Sequence, residues 1–162
     1  MDWVTKNKTQ DDVEQYILQV SKRFAAQNAL VFAIIYQDNI VGIVSFNEIS
    51  AMSGSCSIGY WLAEEFQGFG LTSRSVSKLL EIAFEYFGMM RVSIRCAVEN
   101  SKSRRIPERL GLTLEGILRS SEKINGRYLD QALYSMIQPE WIDRRTGKLG
   151  STNRTSNMEP LS

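Results

Sequence analysis

Between two strand-like runs of this chain lies a short turn, Gln67-Gly68-Phe69-Gly70-Leu71-Thr72, that opens directly onto a helix. No other feature restricts the fold as much. Before it, Ser55–Leu62 alternates with Cys56, Ile58, Tyr60 and Leu62 on one face, and Gly59 reads as a bulge. After it, Val76, Leu79, Leu80, Ala83 and Phe87 recur at helical spacing, and Gly88 can close the helix. Arg91–Ala97 then sets Val92, Ile94 and Cys96 against polar neighbours, which is a strand again. A strand, a helix and a strand in succession predict a parallel or locally splayed pair joined by a helical crossover.

The turn is also a physical recipe for holding a phosphate. The first turn of a helix presents unpaired N–H groups, and the helix dipole favours an anion there. Glycine at 68 and 70 lets the main chain bend and approach a ligand closely. Thr72, Ser73 and Ser75 bring hydroxyls to the same end. Taken alone, two glycines in six residues fit a loop that only turns the chain better than they fit a phosphate site. The motif is not a Walker A loop, since the Lys-Ser/Thr pair is missing, and it lacks the third glycine of a dinucleotide fingerprint.

Elsewhere the pattern is regular. Residues 10–27 read as an amphipathic helix through Val13, Tyr16, Ile17, Val20 and Phe24. Residues 31–36 and 40–46 form a hairpin around Gln37-Asp38-Asn39. Asn100 caps a short helix over 101–110. Residues 112–124 and Arg127–Ile137 flank Asn125-Gly126, the strongest short hairpin signal. One domain over 1–142 is expected, with 143–162 a polar, disordered tail rich in Gly, Ser, Thr and Asn.

Composition enters chiefly through one absence. The chain has no histidine, which excludes Ser-His and Cys-His hydrolases and His-containing zinc sites. A net charge of +1 gives no reason to expect nucleic acid or a membrane as partner. The apolar run at 29–36 is far too short to cross a bilayer. Asp11, Asp12 and Glu14 interrupt any signal-peptide pattern. Cys56 and Cys96 read as buried, reduced thiols, so a cytoplasmic protein is expected.

With its surroundings, the turn resembles the Gln/Arg-x-x-Gly-x-Gly/Ala signature of the GNAT acetyltransferase superfamily, with Thr72 in place of the final Gly/Ala. Ile58-Gly59-Tyr60-Trp61-Leu62, Val98-Glu99-Asn100 with Ser103, and Glu108-Arg109-Leu110-Gly111-Leu112 follow in order. So do Leu114-Glu115-Gly116 and Asn125-Gly126-Arg127-Tyr128 with Asp130. In order and spacing they are similar to the branch of ribosomal-protein serine and alanine N-terminal acetyltransferases. The resemblance covers roughly residues 3–137. It implies an α+β fold whose central sheet is splayed, mostly antiparallel and flanked by helices. It also implies one more strand and helix ahead of Trp3, for which Met1-Asp2 leaves no room. Three explanations of the edge left in that way stay open: a shortened start, replacement of the strand by a neighbouring subunit as in a homodimer, or a decayed protein.

The resemblance implies acetyl-CoA as co-substrate, with no metal. Its arm would lie along main chain at Trp61, Leu62 and Ala63, and its pyrophosphate on the turn from Gln67 through Gly68, Phe69, Gly70, Leu71, Thr72 and Ser73 to Arg74. Asn100 matches a residue that contacts the pantetheine; the bland alternative is a helix cap. Ser103 matches a hydroxyl near the acyl sulfur, against a solvated serine. Glu122 matches the glutamate proposed as base, against an exposed strand carboxylate; Glu64, Glu65 and Glu99 compete for the role. Tyr128 and Asp130 either line an acceptor pocket or staple the hairpin. The basic run Lys102, Arg104, Arg105 and Arg109 faces either a CoA phosphate or only solvent. The implied activity is N-acetyltransfer to a primary amine, foremost a protein N-terminal α-amine such as that of a ribosomal protein. The alternatives are a small-amine acetyltransferase of the same fold and a non-catalytic CoA-binding or interaction module.

Overall fold

Strand β1 (Leu30–Tyr36) turns back into β2 (Asn39–Ser50) through Gln37 and Asp38, whose φ angles are 48° and 61°. Positive φ at both central residues makes a type I′ turn, whose twist suits paired strands. Next come β3 (Ser55–Leu62), helix α1 (Leu71–Glu81), β4 (Arg91–Ala97), helix α2 (Ser101–Arg109) and the hairpin of β5 (Thr113–Ile124) and β6 (Arg127–Ile137). Helix α3 (Gln138–Arg145) follows. Asn125 and Gly126, at φ 49° and 80°, repeat the type I′ device between β5 and β6. This computed structural model describes residues 29–147. The helix read over 10–27, and the strand and helix expected ahead of Trp3, lie outside the described residues.

The six strands form one sheet in the order β1-β2-β3-β4-β6-β5. Every pairing is antiparallel except β3 with β4. That parallel pair holds over only three steps, Ser55 with Arg91, Cys56 with Val92 and Ser57 with Ser93. Beyond them β3 stays with β2 as far as Leu62, and β4 stays with β6 as far as Ala97. The two halves of the sheet therefore part in the middle, as the resemblance implies, and the ends of β3 and β4 line the two sides of the gap.

One face of the sheet carries the core. Val44, Phe46, Cys56, Ile58, Val92, Ile94, Tyr134 and Met136 pack there against Val76, Leu79 and Leu80 of α1, all buried. The predicted stripe holds through Ala83 and then departs. A π-helical turn at Ile82–Tyr86, sealed by Phe87 N–H donating to Ile82 O at 3.0 Å, shifts the register by one residue. Phe84 enters the core in place of Phe87, which is left 43% exposed.

Two further expectations change. Gly59 pairs with Ser45 without a register shift, and the bulge sits instead in β2 between Asn47 and Ser50, where Glu48 has φ 52°. A side chain at Gly59 would press on Asn47 Nδ2 at 2.9 Å, so the residue serves close approach. The boundary drawn at Asp143 falls inside α3, whose Trp141 stacks on Phe84 at 5.5 Å and whose Arg145 pairs with Glu85. Residues 148–162 lie outside the described residues.

Candidate active site

The turn before α1 is held at both ends. Ala63 N–H donates to Val41 O at 2.9 Å, and the exposed Phe69 ring stacks on Tyr36 at 5.9 Å. Leu71 and Thr72 are buried and root the start of the helix in the core. Between these anchors Gly68 and Gly70 take φ of 89° and 72°, the left-handed region that other residues enter at a cost. A Cβ at either would meet nothing within 4 Å, so both face open space. Gly70 is the N-cap and supplies no capping side chain, and the first turn holds no acid.

The first helical bond is Arg74 N–H to Gly70 O at 3.0 Å, which leaves the N–H groups of Leu71, Thr72 and Ser73 ahead of it. A cap side chain contributes only about 1 kcal/mol. Burial of Val76, Leu79 and Leu80 contributes about 1.5–3 kcal/mol each, so the helix stands without a cap. Its amino end is left open for an anion. The residues present therefore fit the pyrophosphate of acetyl-CoA. Gln67, exposed at the mouth of the turn, accepts from Lys102 Nζ at 3.1 Å and links the turn to the start of α2.

The gap between β3 and β4 opens from this turn. Trp61, Leu62 and Ala63 line it from the β3 side, each half-buried. Across its floor the two strands meet again through side chains. Tyr60 and Cys96, each four residues beyond the last but one paired step, sit with Tyr60 Oη 3.4 Å from Cys96 Sγ. Ser103 of α2 completes the cluster. Its hydroxyl lies 3.2 Å from Tyr60 Oη and 3.3 Å from Cys96 Sγ, and its carbonyl accepts from Tyr60 Oη at 3.0 Å.

Burial raises both the Tyr60 phenol and the Cys96 thiol above their ordinary pKa, so both keep their protons at neutral pH. Ser103 is thus half-buried among proton donors and is not a solvated serine. Sequence reasoning passed over Tyr60 and Cys96 as core positions. The available signal was that a buried hydroxyl must find a partner.

Asn100 does cap α2, its Oδ1 accepting from Ser103 N–H at 2.9 Å. That commits the oxygen and leaves Nδ2 as the group it can offer a ligand. Of the basic run, Arg104 is structural: Nε donates to Tyr134 Oη at 2.9 Å, and Tyr134 donates to Glu108 at 2.6 Å. Lys102, through Gln67, is the member placed beside the turn.

Glu122 lies on β5, two strands from β4 across β6. The strand expected to run unbroken over 112–124 is interrupted there, for pairing with β6 skips from Leu118 to Glu122 and Ser120 takes φ 49°. Side chains of β6 pin this bulge. Asp130 accepts from Ser120 N–H at 2.8 Å, and Gln131 Oε1 accepts from Ser121 Oγ at 3.1 Å. Gln131 Nε2 donates to Glu122 Oε2 at 2.7 Å. Asp130 therefore staples the hairpin, and the exposed Tyr128 ring carries the Lys123 ammonium at 5.3 Å. Of the competing acids, Glu64 and Glu65 sit on an exposed 3₁₀ turn, and Glu99 pairs loosely with Arg127 at 3.9 Å. Among the described residues no three His, Cys, Asp or Glu gather as a metal-holding group, and no helix is long and apolar enough to cross a membrane.

Residues 1–113 match the acetyltransferase (GNAT) domain family. The putative ribosomal N-acetyltransferase YdaF of Bacillus subtilis is 35% identical over 120 residues, 74% of this chain and 66% of its own length. The ribosomal-protein-serine acetyltransferase of Escherichia coli is 36% identical over 109 residues, 67% of this chain and 61% of its own. The chain thus spans a little under two thirds of these relatives. Among solved structures, the ribosomal L7/L12 alpha-N-protein acetyltransferase RimL in complex with coenzyme A superposes with a TM-score of 0.79. The identity is 30%, over 86% of this chain and 79% of that one.

Proposed function

The chain belongs to the GNAT acetyltransferase domain family, and on that premise we propose that it moves the acetyl group of acetyl-CoA to a primary amine. The amine we infer is the N-terminal α-amine of a protein, such as a ribosomal protein, as the names of the relatives suggest. One observation carries the reading. The gap between β3 and β4 runs from an uncapped helix end to a cluster of proton donors, which is the shape and chemistry an acyl-pantetheine arm needs.

Each part of the chain has a task. The N–H groups of Leu71, Thr72 and Ser73, with the Gly68 and Gly70 main chain beside them, hold the pyrophosphate. Gln67 and Lys102 bracket it, and Phe69 and Arg74 border the same turn. The side of β3 that faces the gap, at Trp61, Leu62 and Ala63, takes the amide groups of the pantetheine arm as an added strand would. Asn100 Nδ2 reaches the same arm. Bound acetyl-CoA supplies a thioester, already activated toward an amine. Ser103 gives a proton toward the departing sulfur, an undemanding task because a thiolate is a good leaving group. Glu122 takes the proton that the attacking ammonium must lose before or during attack. The two free, buried cysteines suit the reducing cytoplasm, where we place the activity.

The test combines binding with turnover. Acetyl-CoA is expected to raise the melting temperature, and CoA is expected to appear on incubation with peptides bearing N-terminal serine or alanine. Faster release with a polyamine such as spermidine moves the acceptor to small amines. Binding without turnover on any acceptor leaves a CoA-binding module, and no binding at all ends the assignment.

A further inference from the structure

A bulge inside a strand costs ladder hydrogen bonds, and one pinned by several side chains is built to aim something. In β5 the aimed group is Glu122, and the residue that aims it is Gln131. The Gln131 amide is used at both ends, with Nε2 donating to Glu122 Oε2 at 2.7 Å and Oε1 accepting from Ser121 Oγ at 3.1 Å. An amide held at both ends has one orientation. Flipped, it would set its oxygen against the carboxylate.

The backbone position of Gln131 matters equally. It pairs with Ala97 at the open end of β4 and with Leu118 at the edge of the bulge in β5. The residue therefore links the open end of β4 to the strand that carries Glu122. Asp130, next to it, fixes the bulge main chain through Ser120 N–H. The half-buried setting of both Gln131 and Glu122 keeps water from freely replacing the bond.

We propose that Gln131 is a positioning residue for N-acetyltransfer, fixing the Glu122 carboxylate toward the open end of β4 while Ser121 fixes Gln131. The proposal rests on the reading of Glu122 as base. It gives a role to the break in β5 pairing at 119–121.

The test uses the full chain with Gln131→Met, which keeps the length and removes both polar ends, together with Glu122→Gln and the double variant. Turnover is followed by CoA release with the acceptor that the panel above turns over fastest. Glu122→Gln is expected to lower kcat by about a hundredfold or more. Gln131→Met is expected to lower kcat about tenfold, with KM for acetyl-CoA within twofold of wild type, because a base moved by a fraction of an ångström loses alignment without touching the donor.

The double variant is expected to be no slower than Glu122→Gln alone, since Gln131 acts through the carboxylate. Three results overturn the proposal, and each says something different. Wild-type kcat in Glu122→Gln removes the base reading and the proposal with it. A slow Glu122→Gln beside an unimpaired Gln131→Met leaves the base and removes Gln131. A double variant tenfold slower than Glu122→Gln shows that Gln131 matters by another route. Should Gln131→Met fail to fold by circular dichroism, Ser121→Ala, which frees only the amide oxygen, is expected to give a smaller loss of kcat with the same split. An unchanged kcat there overturns the proposal.

Discussion

The two sides of this site are made of different materials. On the proposed donor side, from β3 through α1 to the start of α2, the groups on offer are main chain: a parted strand pair, two left-handed glycines and the amides of an uncapped helix. On the proposed acceptor side, at the β5–β6 hairpin, they are side chains: Glu122, Gln131, Ser121 and Asp130 crossing between strands around a bulge. Main-chain recognition constrains which residues are tolerated over a short contiguous stretch. Side-chain recognition constrains residues that only the strand register brings together. The first leaves a local signature in a sequence; the second leaves little. A donor shared by many enzymes and an acceptor that varies among them suit this division.

The comparison breaks most visibly at Gly70. Gly70→Asp places a good capping residue at an N-cap that has no side-chain cap, and Asp tolerates left-handed φ better than most residues. With nothing within 4 Å of a Cβ there, no crowding inside the protein opposes it. The left-handed φ still strains the new side chain, so the free protein is expected to fold but to melt slightly lower. The new carboxylate, however, occupies the helix end and repels the phosphates, so calorimetry is expected to show acetyl-CoA affinity falling about a hundredfold. Equal affinity in variant and wild type would move the pyrophosphate away from this turn and dissolve the contrast between the two sides.

The same contrast explains what was legible beforehand. The strand–turn–helix–strand unit was readable because each element has its own period: β3 and β4 were placed at their observed bounds, and Asn125-Gly126 located its turn. Where the register depends on a neighbour, reading failed. Nothing in Ile82–Tyr86 announces a π turn; only the competition between Phe84 and Phe87 for the same core space decides it. The bulge is in β2 at Glu48 and not at Gly59, because a glycine in a strand signals either a kink or a close approach, and the side chains of Ser45 and Asn47 chose the latter. The break at 119–121 was invisible for a similar reason. Its cause lies ten residues away in Asp130 and Gln131.

Ser103, at the start of α2, gives a smaller test. Its amide, not its hydroxyl, receives the Asn100 cap, so Ser103→Ala preserves the start of α2. What it removes is the hydroxyl shared with Tyr60 and Cys96. A loss of about tenfold in kcat is expected, with acetyl-CoA affinity unchanged, at the low end of acid assistance because a thiolate leaves easily. The Tyr60 phenol, buried and still protonated, remains nearby as a partial substitute. If Ser103→Ala instead weakens acetyl-CoA binding with kcat intact, the hydroxyl belongs to the donor scaffold and not to the chemistry.

The smallest expected effect concerns how the hairpin is fastened to the rest of the sheet. Glu115 of β5 receives both Arg91 of β4, at 2.5 Å, and the buried Ser135 hydroxyl of β6, at 2.7 Å. The Arg91 guanidinium, with help from Ser135, holds its carboxyl at about 2 against an ordinary 4.5. A carboxyl depressed in the folded state stabilises fully above its unfolded value and loses that contribution as pH falls through the folded one. Between about pH 4.5 and 2, wild-type protein should therefore lose stability that Glu115→Gln has already lost at neutral pH. The pair is about one-third exposed, so water screens it, and the difference at pH 7 is expected to be no more than a few degrees in Tm. Melting curves that stay parallel from pH 7 to pH 3 would show that the ion pair adds nothing. Shape and the β4–β6 ladder alone would then join the side-chain half of the site to the main-chain half.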